Sequence, residues 1–145
     1  MWHKDYGDVI AQGKKQTLVA FEQFGSYQGD FIVITKDDKN AYIYKDSYGS
    51  CSVCDSLEAF ENYTDDDNFW TQEKCEEFAK NYDVFITVDL GTFKRLVKEK
   101  KLAEILPANT RLEFRDDDYN DLTHEAIFKQ IEEAINTPKE THNEE

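Results

Sequence analysis

Long apolar runs and basic residues are both scarce in this chain of 145 residues. No apolar stretch approaches the roughly 20 residues that a membrane-spanning helix needs, and the first residues do not resemble a signal peptide. Only 17 Lys and Arg stand against 31 Asp and Glu, for a formal net charge of −14. Direct binding to nucleic acid or to a membrane surface is disfavoured, because this charge repels both polyanions. We therefore expect a cytoplasmic protein.

Cysteine is also rare, and the three residues Cys51, Cys54 and Cys75 are an odd number. Without a secretory signal, this count favours reduced thiols over a disulfide framework. Cys51 and Cys54 form a C-x-x-C motif, but a thioredoxin-like site requires a preceding βαβ unit, and a zinc site requires two further ligands at suitable spacing. We predict that Cys54 and Cys75 pack in the core and that Cys51 lies in a turn. A small thiol or zinc protein built on Cys51 and Cys54 remains an alternative.

The motifs of common enzyme classes are missing as well. The chain contains no G-x-S-x-G nucleophile elbow, no phosphate-binding glycine loop and no H-E-x-x-H motif, and it has only three histidines. Two aspartate triplets fail as EF-hand loops, because position twelve counted from Asp116 is Ile127 and position five counted from Asp65 is Phe69. The sequence thus predicts a non-enzymatic protein with no catalytic residue, no metal ligand and no cofactor.

The N-terminal half has the composition of a β-sheet. Segments rich in β-branched and aromatic residues predict three strands, at Thr17–Phe24, Phe31–Thr35 and Ala41–Lys45. The connections between them are short and contain Gly, Asn and Asp, which favour chain reversal and predict an antiparallel meander. Residues 31–34 are apolar throughout, so the second strand is expected to be buried on both faces.

The C-terminal half adds helices to this sheet. The spacing of apolar residues predicts helices at Val53–Phe60, Thr71–Tyr82 and Tyr119–Asn136. Asp89 is predicted to cap a further helix with an inner face of Phe93, Leu96 and Val97, and Leu102–Leu106 is predicted to form a separate turn. Short strands are predicted at Val84–Val88 and Arg111–Phe114. We therefore predict one α+β domain over residues 1–136, with about five mainly antiparallel strands, three or four helices packed on the sheet, and a polar tail over residues 137–145.

Acidic residues are concentrated in two segments, with net charges of −9 over residues 55–89 and −6 over residues 113–133. Residues three or four apart share a helix face, which predicts one row at Glu73, Glu76 and Glu77 and a second row at Asp121, Glu125 and Glu132. Aromatic residues, the usual anchors of interfaces, stand among the acids. The predicted partner-binding residues are Asp65, Asp66, Asp67, Trp70, Glu73, Glu76, Glu77, Asp116, Asp117, Asp118, Asp121 and Glu125. The alternative is that these acids form an ordinary solvated surface.

A basic segment interrupts this acidic half. It contains Lys94, Arg95, Lys98, Lys100 and Lys101. Cations are favoured near the C-terminal end of a helix, and these residues are expected either to stabilise that end or to pair with the acidic clusters.

A short pattern in the N-terminal half also points to an origin. Gly49-Ser50-Cys51-Ser52-Val53-Cys54-Asp55, preceded by Tyr27-Gln28-Gly29-Asp30 and by Tyr42-Ile43-Tyr44, resembles a pattern found in small acidic proteins of bacteriophages and mobile elements. The resemblance implies a protein made in the cytoplasm of a bacterial host, and it carries no catalytic residues. Small acidic phage proteins often block host defences, and they include anti-CRISPR and anti-restriction proteins that compete with DNA for a nuclease. The present chain is similar to those inhibitors in size and charge.

These observations predict a non-enzymatic inhibitor that mimics DNA and blocks a basic nucleic-acid-binding protein or nuclease of the bacterial host. Carboxylates displayed at high density can occupy a cleft that is lined with Lys and Arg for DNA phosphates. An immunity or antitoxin-like protein against a basic nuclease toxin would use the same physics. An assembly module of a phage particle is a further alternative.

Overall fold

The computed structural model describes residues 5–25, 29–49 and 70–137. Its strands are β1 (Thr17–Gly25), β2 (Gly29–Lys36), β3 (Asn40–Tyr48) and β4 (Ile86–Asp89). Its helices are α1 (Tyr6–Lys14), α2 (Gln72–Ala79), α3 (Leu90–Lys98) and α4 (His124–Asn136), with a 3₁₀ helix at Leu102–Ile105. Four predictions fall outside the described residues: the Val53–Phe60 helix, the C-x-x-C motif, the triplet Asp65–Asp67, and the tail from residue 138 onward.

The four strands form one antiparallel sheet in the order β1-β2-β3-β4, which confirms the predicted α+β class and its N-terminal meander. The β2–β3 reversal is held by Asp37, whose Oδ1 accepts hydrogen bonds from the amides of Lys39 and Asn40 at 2.9 and 2.8 Å. This is the local turn chemistry that Asp supplies from its own side chain. None of the helices in the described ranges is long and apolar enough to cross a membrane.

Strand β2 is the centre of the core. Phe31 and Val33 face α1 and α2, whereas Ile32 and Ile34 face α3, the 3₁₀ helix and α4. Since successive side chains of a strand point to opposite faces, the run of apolar residues is buried on both sides, as predicted. The domain therefore has three layers, with the sheet between two pairs of helices.

Helix α1 has no counterpart among the predicted elements. It begins at a capping box in which the amide of Asp8 donates to Asp5 Oδ1 at 2.8 Å and the amide of Asp5 donates back to Asp8. Helix α2 packs against it along a line that includes Gly13 of α1 and Cys75 of α2. Cys75 is fully buried in this contact, which confirms its predicted place in the core.

Helix α3 follows β4 directly and matches its prediction. Asp89 caps it, with Oδ2 accepting the amide of Thr92 at 3.0 Å, and Phe93, Leu96 and Val97 are buried. The 3₁₀ helix occupies the predicted separate turn. Both elements could be predicted because a helix cap and the spacing of apolar residues act within one or two helical turns.

Two predicted elements near the C-terminus are wrong. Arg111–Phe114 is not a strand, so the described ranges contain four strands instead of five; Leu112 and Phe114 are buried, but the Leu112 amide donates to His124 Nε2 at 3.0 Å instead of to the sheet. Helix α4 begins at His124 and not at Tyr119, because Thr123 caps it by accepting the amide of Ala126 at 3.0 Å. The residues before Thr123 form a hairpin.

Candidate acidic interface

The triplet Asp116–Asp118 lies at the tip of this hairpin. The amide of Leu122 donates to Phe114 O at 2.8 Å, and the amide of Asp116 donates to Asn120 O at 2.9 Å. Tyr119 closes the loop with a φ of 64°, a left-handed conformation that ends many three-residue hairpin loops. The backbone therefore presents the triplet in one defined conformation.

The three aspartates of the triplet have different roles. Asp116 Oδ1 accepts hydrogen bonds from the amides of Asn120 and Asp118 at 3.0 and 2.9 Å, and these bonds hold the pKa of its carboxyl below the usual value. Asp117 and Asp118 are exposed, and neither has an ion-pair partner among the residues that the structure describes. Asp116 thus shapes the loop, while the next two carboxylates face outward.

We expect the Asp116 carboxyl to titrate below 3.8, its reference pKa. Because folding lowers this pKa, the contribution of Asp116 to stability is present above the unfolded value and is lost as pH falls through the folded value. Carbon-detected NMR of the carboxyl resonances tests this, with Asp116→Asn as the variant that identifies the signal. A midpoint at or above the reference value would show that the two amide bonds do not form in solution.

The side chains around the tip are exposed. Tyr119 has 79% of its surface accessible. Arg115 Nε lies 3.4 Å from Asp121 Oδ1, with both side chains largely in solvent, so this pair contributes little to stability. Glu125 is exposed in the first turn of α4, where the helix dipole favours a negative charge.

Two further acids at the same end of the sheet were missed from sequence. Asp30 is the second residue of β2, and Asp46 on β3 lies opposite Phe31 of β2. Burial raises the pKa of the Asp30 carboxyl, and the negative charge of Asp46 raises it further. The positive charges of Lys45 and Arg115 oppose this rise. The predicted strand pairing was the available signal, because it brings the start of β2 beside the end of β3.

A groove connects the hairpin to the sheet. It has a volume of about 420 Å³, and the acidic triplet lines it together with Gln23, Phe24 and Gly25 of β1. Burial raises the pKa of the Tyr48 hydroxyl, and the charges of Asp117 and Asp30 raise it further. These effects place the hairpin tip, Asp30 and the end of β3 in one acidic region, which we call the acidic end of the sheet.

The other predicted row, Glu73, Glu76 and Glu77, lies on α2. Glu76 accepts a hydrogen bond from Gln72 at 2.9 Å, which lowers the pKa of the Glu76 carboxyl, and its Oε2 lies 3.7 Å from Lys15 Nζ. Glu77 lies 3.9 Å from Lys74 Nζ. Because α2 belongs to the layer on the opposite face of the sheet, this row and the hairpin belong to separate surfaces.

Trp70 and Glu132 are not part of an exposed row. Trp70 is only 8% accessible, and its ring meets Phe78 edge to face with centroids 5.6 Å apart. Glu132 Oε2 accepts the amide of Leu102 at 2.6 Å at the start of the 3₁₀ helix. The predicted row through Asp121, Glu125 and Glu132 is therefore wrong, because Asp121 precedes α4 and the Glu132 carboxylate is bound to the backbone of another element.

The described ranges contain no group of three or more His, Cys, Asp and Glu side chains arranged to hold a metal ion. Comparison of the chain with protein-family models, curated proteins and solved structures finds no match. The function is therefore inferred from the surface itself.

Proposed function

We propose that this protein is a non-enzymatic, phage-encoded inhibitor that acts in the cytoplasm of a bacterial host. It binds a basic nucleic-acid-binding protein or nuclease as a DNA mimic, in the manner of anti-CRISPR or anti-restriction proteins. The observation that carries this proposal is the acidic end of the sheet, where the exposed carboxylates of Asp117 and Asp118 stand beside the exposed ring of Tyr119.

The hairpin is a better contact site than α2 because its charge is less neutralised. On α2, Glu76 and Glu77 each have a lysine within 4.0 Å. On the hairpin, Arg115 pairs with Asp121 and not with Asp117 or Asp118. The hairpin is also held in place before binding, by its backbone bonds and by the Asp116 carboxylate. Such preorganisation reduces the entropy that is lost when a partner binds.

Tyr119 supports a contact role independently of charge. Its φ of 64° is a conformation in which any side chain beyond glycine is disfavoured, by about 1–2 kcal/mol. Strained residues cluster at functional sites, where a side chain is retained despite its conformational cost. A tyrosine at an exposed tip is also the residue type that interfaces use as an anchor.

The proposed mechanism is competition for cationic side chains. Carboxylates of Asp117 and Asp118 would occupy Lys and Arg side chains that otherwise bind phosphates, and the domain would block the cleft sterically. The net charge of −14 accelerates encounter with a basic partner, and salt screens this attraction. The interaction is therefore expected to be fast at low salt and weaker at moderate salt.

The test compares two variants with the same charge change on opposite faces. The protein is immobilised, host lysate is passed over it at low salt, and the captured basic protein is identified, purified and titrated with each variant. We expect Asp117→Asn combined with Asp118→Asn to lower affinity by about tenfold, which corresponds to ~1.4 kcal/mol, and to lose the ability to displace DNA. Glu73→Gln combined with Glu77→Gln is the control and should leave both properties unchanged.

The reverse pattern, with binding lost only in the α2 variant, would move the contact to α2. If both variants bound the partner as tightly as the parent protein does, an acidic contact at either row would be refuted. A captured partner that proves to be a toxin nuclease, and not a defence protein, would identify an immunity protein that uses the same surface.

A further inference from the structure

A second site lies away from the hairpin, on the face of the sheet that α3 and α4 cover. A cavity of about 440 Å³ opens there between β1, α3 and the C-terminal end of α4. Its apolar lining includes Phe93, Val97 and Ile135. Four lysines also line it: Lys36, Lys94, Lys98 and Lys100.

These lysines are not used for internal ion pairs. None of the four has an ion-pair partner within the ranges that the structure describes. By contrast, Arg95, which lies on α3 with Lys94 and Lys98, has its Nη1 3.3 Å from Glu99 Oε1. The end of a helix dipole accounts for a cation at Lys98 but not for Lys36, which comes from β2. Four lysines without an acidic partner in the described ranges thus line one largely apolar cavity, and an occupant with an apolar chain and a negative charge would complement it.

The backbone at Lys100 supports the same inference. The amides of Lys100 and Lys101 donate to Val97 O and Leu96 O at 3.1 and 2.8 Å, which is the Schellman end of a helix. Lys100 has a φ of 59° at the position where glycine is usual. A side chain is thus kept at a strained position, and the residue that carries it is one of those that line the cavity.

We propose that this cavity binds a small amphiphilic carboxylate of the medium-chain fatty-acid class, with its chain on the apolar lining and its carboxylate among the lysines. The volume lies within the ~300–1,000 Å³ of ligand pockets and is that of a single ligand, not of a protein interface. Charge-assisted bonds from Lys94, Lys98 and Lys100 would hold the head group. The occupant is a free molecule and not a bilayer, because the whole protein is repelled by an anionic membrane.

The probe is decanoate, added below its micelle concentration to the full-length protein and followed by amide NMR and calorimetry. We expect saturable shifts confined to the residues that line the cavity, and no comparable binding of decyltrimethylammonium, which has the same chain and the opposite charge. Lys94→Gln combined with Lys98→Gln should weaken decanoate binding by about tenfold.

Lys100→Gly provides a variant that does not threaten the fold, since glycine suits its backbone conformation. Its matched control is Lys15→Gly, because Lys15 has the same φ of 59° at the end of α1 and does not line the cavity. Lys100→Gly should weaken decanoate binding severalfold, and Lys15→Gly should not change it. Equal loss in both variants, equal binding of the cationic probe, or binding to phosphatidylserine vesicles without binding of free decanoate would each overturn the proposal. Asp117→Asn with Asp118→Asn should leave decanoate binding unchanged, so this proposal and the inhibitor proposal fail separately.

Discussion

Gly13→Ala should destabilise the domain by about 2 kcal/mol, although alanine is the better helix former by ~1 kcal/mol. A Cβ atom at Gly13 would overlap the backbone oxygen of Cys75 and would lie 2.6 Å from the Cβ of Ala79. Neither neighbour can rotate away, because one is backbone and the other is a methyl group fixed to α2. The two helices must separate, which loosens a layer that contains the fully buried Val9 and Ile10.

Gly91→Ala is the matched control for this prediction. Gly91 also lies in a helix, but a Cβ there meets only Asp89 Oδ2, at 3.2 Å. We expect this variant to stay within ~1 kcal/mol of the parent, because the Asp89 carboxylate is a side chain that can shift by a few tenths of an ångström. Urea unfolding of both variants, with the m value checked for constancy, measures the difference. If Gly13→Ala were as stable as Gly91→Ala, the close approach of α1 and α2 would be wrong.

Gln16→Leu should cost about 2 kcal/mol of unfolding free energy. Gln16 Oε1 accepts hydrogen bonds from the hydroxyls of Thr35 and Tyr44, at 2.6 and 2.9 Å. Both of those residues are fully buried, so the variant leaves two buried donors without this acceptor. Gln16 follows α1 and therefore also ties that helix to the centre of the sheet.

A double-mutant cycle separates this loss from a general effect of the substitution. In a background with Thr35→Val and Tyr44→Phe, the buried donors are absent, and Gln16→Leu should cost less than ~1 kcal/mol. Gln23→Leu makes the same chemical change at an exposed position and should stay within ~0.5 kcal/mol of the parent. Equal costs of Gln16→Leu in both backgrounds would show that its carbonyl is not the partner of these hydroxyls.

The proposed interface and the proposed cavity carry charges of opposite sign. Asp117 and Asp118 face outward at the acidic end of the sheet, while Lys94 and Lys98 line a cavity under α3. A basic macromolecule and a small anion would therefore bind at different places. This arrangement lets each proposal be tested in the presence of the other ligand.

Sequence alone determined the elements whose signals are local. The meander follows from apolar strands and from turn residues such as Asp37, which binds amides two and three positions ahead. Asp89 and the stripe Phe93, Leu96 and Val97 predicted α3 because a cap and a helical spacing act within a few residues. The acidic triplet could likewise be singled out from composition, and so could the neighbouring Asp121 and Glu125.

Only the tertiary structure decided which of these residues meet. Glu132 looked like a surface acid, yet it binds the amide of Leu102, 30 positions away. Trp70 looked like an anchor but packs on Phe78, and Lys36 joins Lys94 across the layers at a cavity. Spacing along a helix or strand specifies the direction of a side chain within its own element. The partners of that side chain depend on strand register and on which face of the sheet each helix covers. Both the register and the placement of the helices are set by the packing of the whole core.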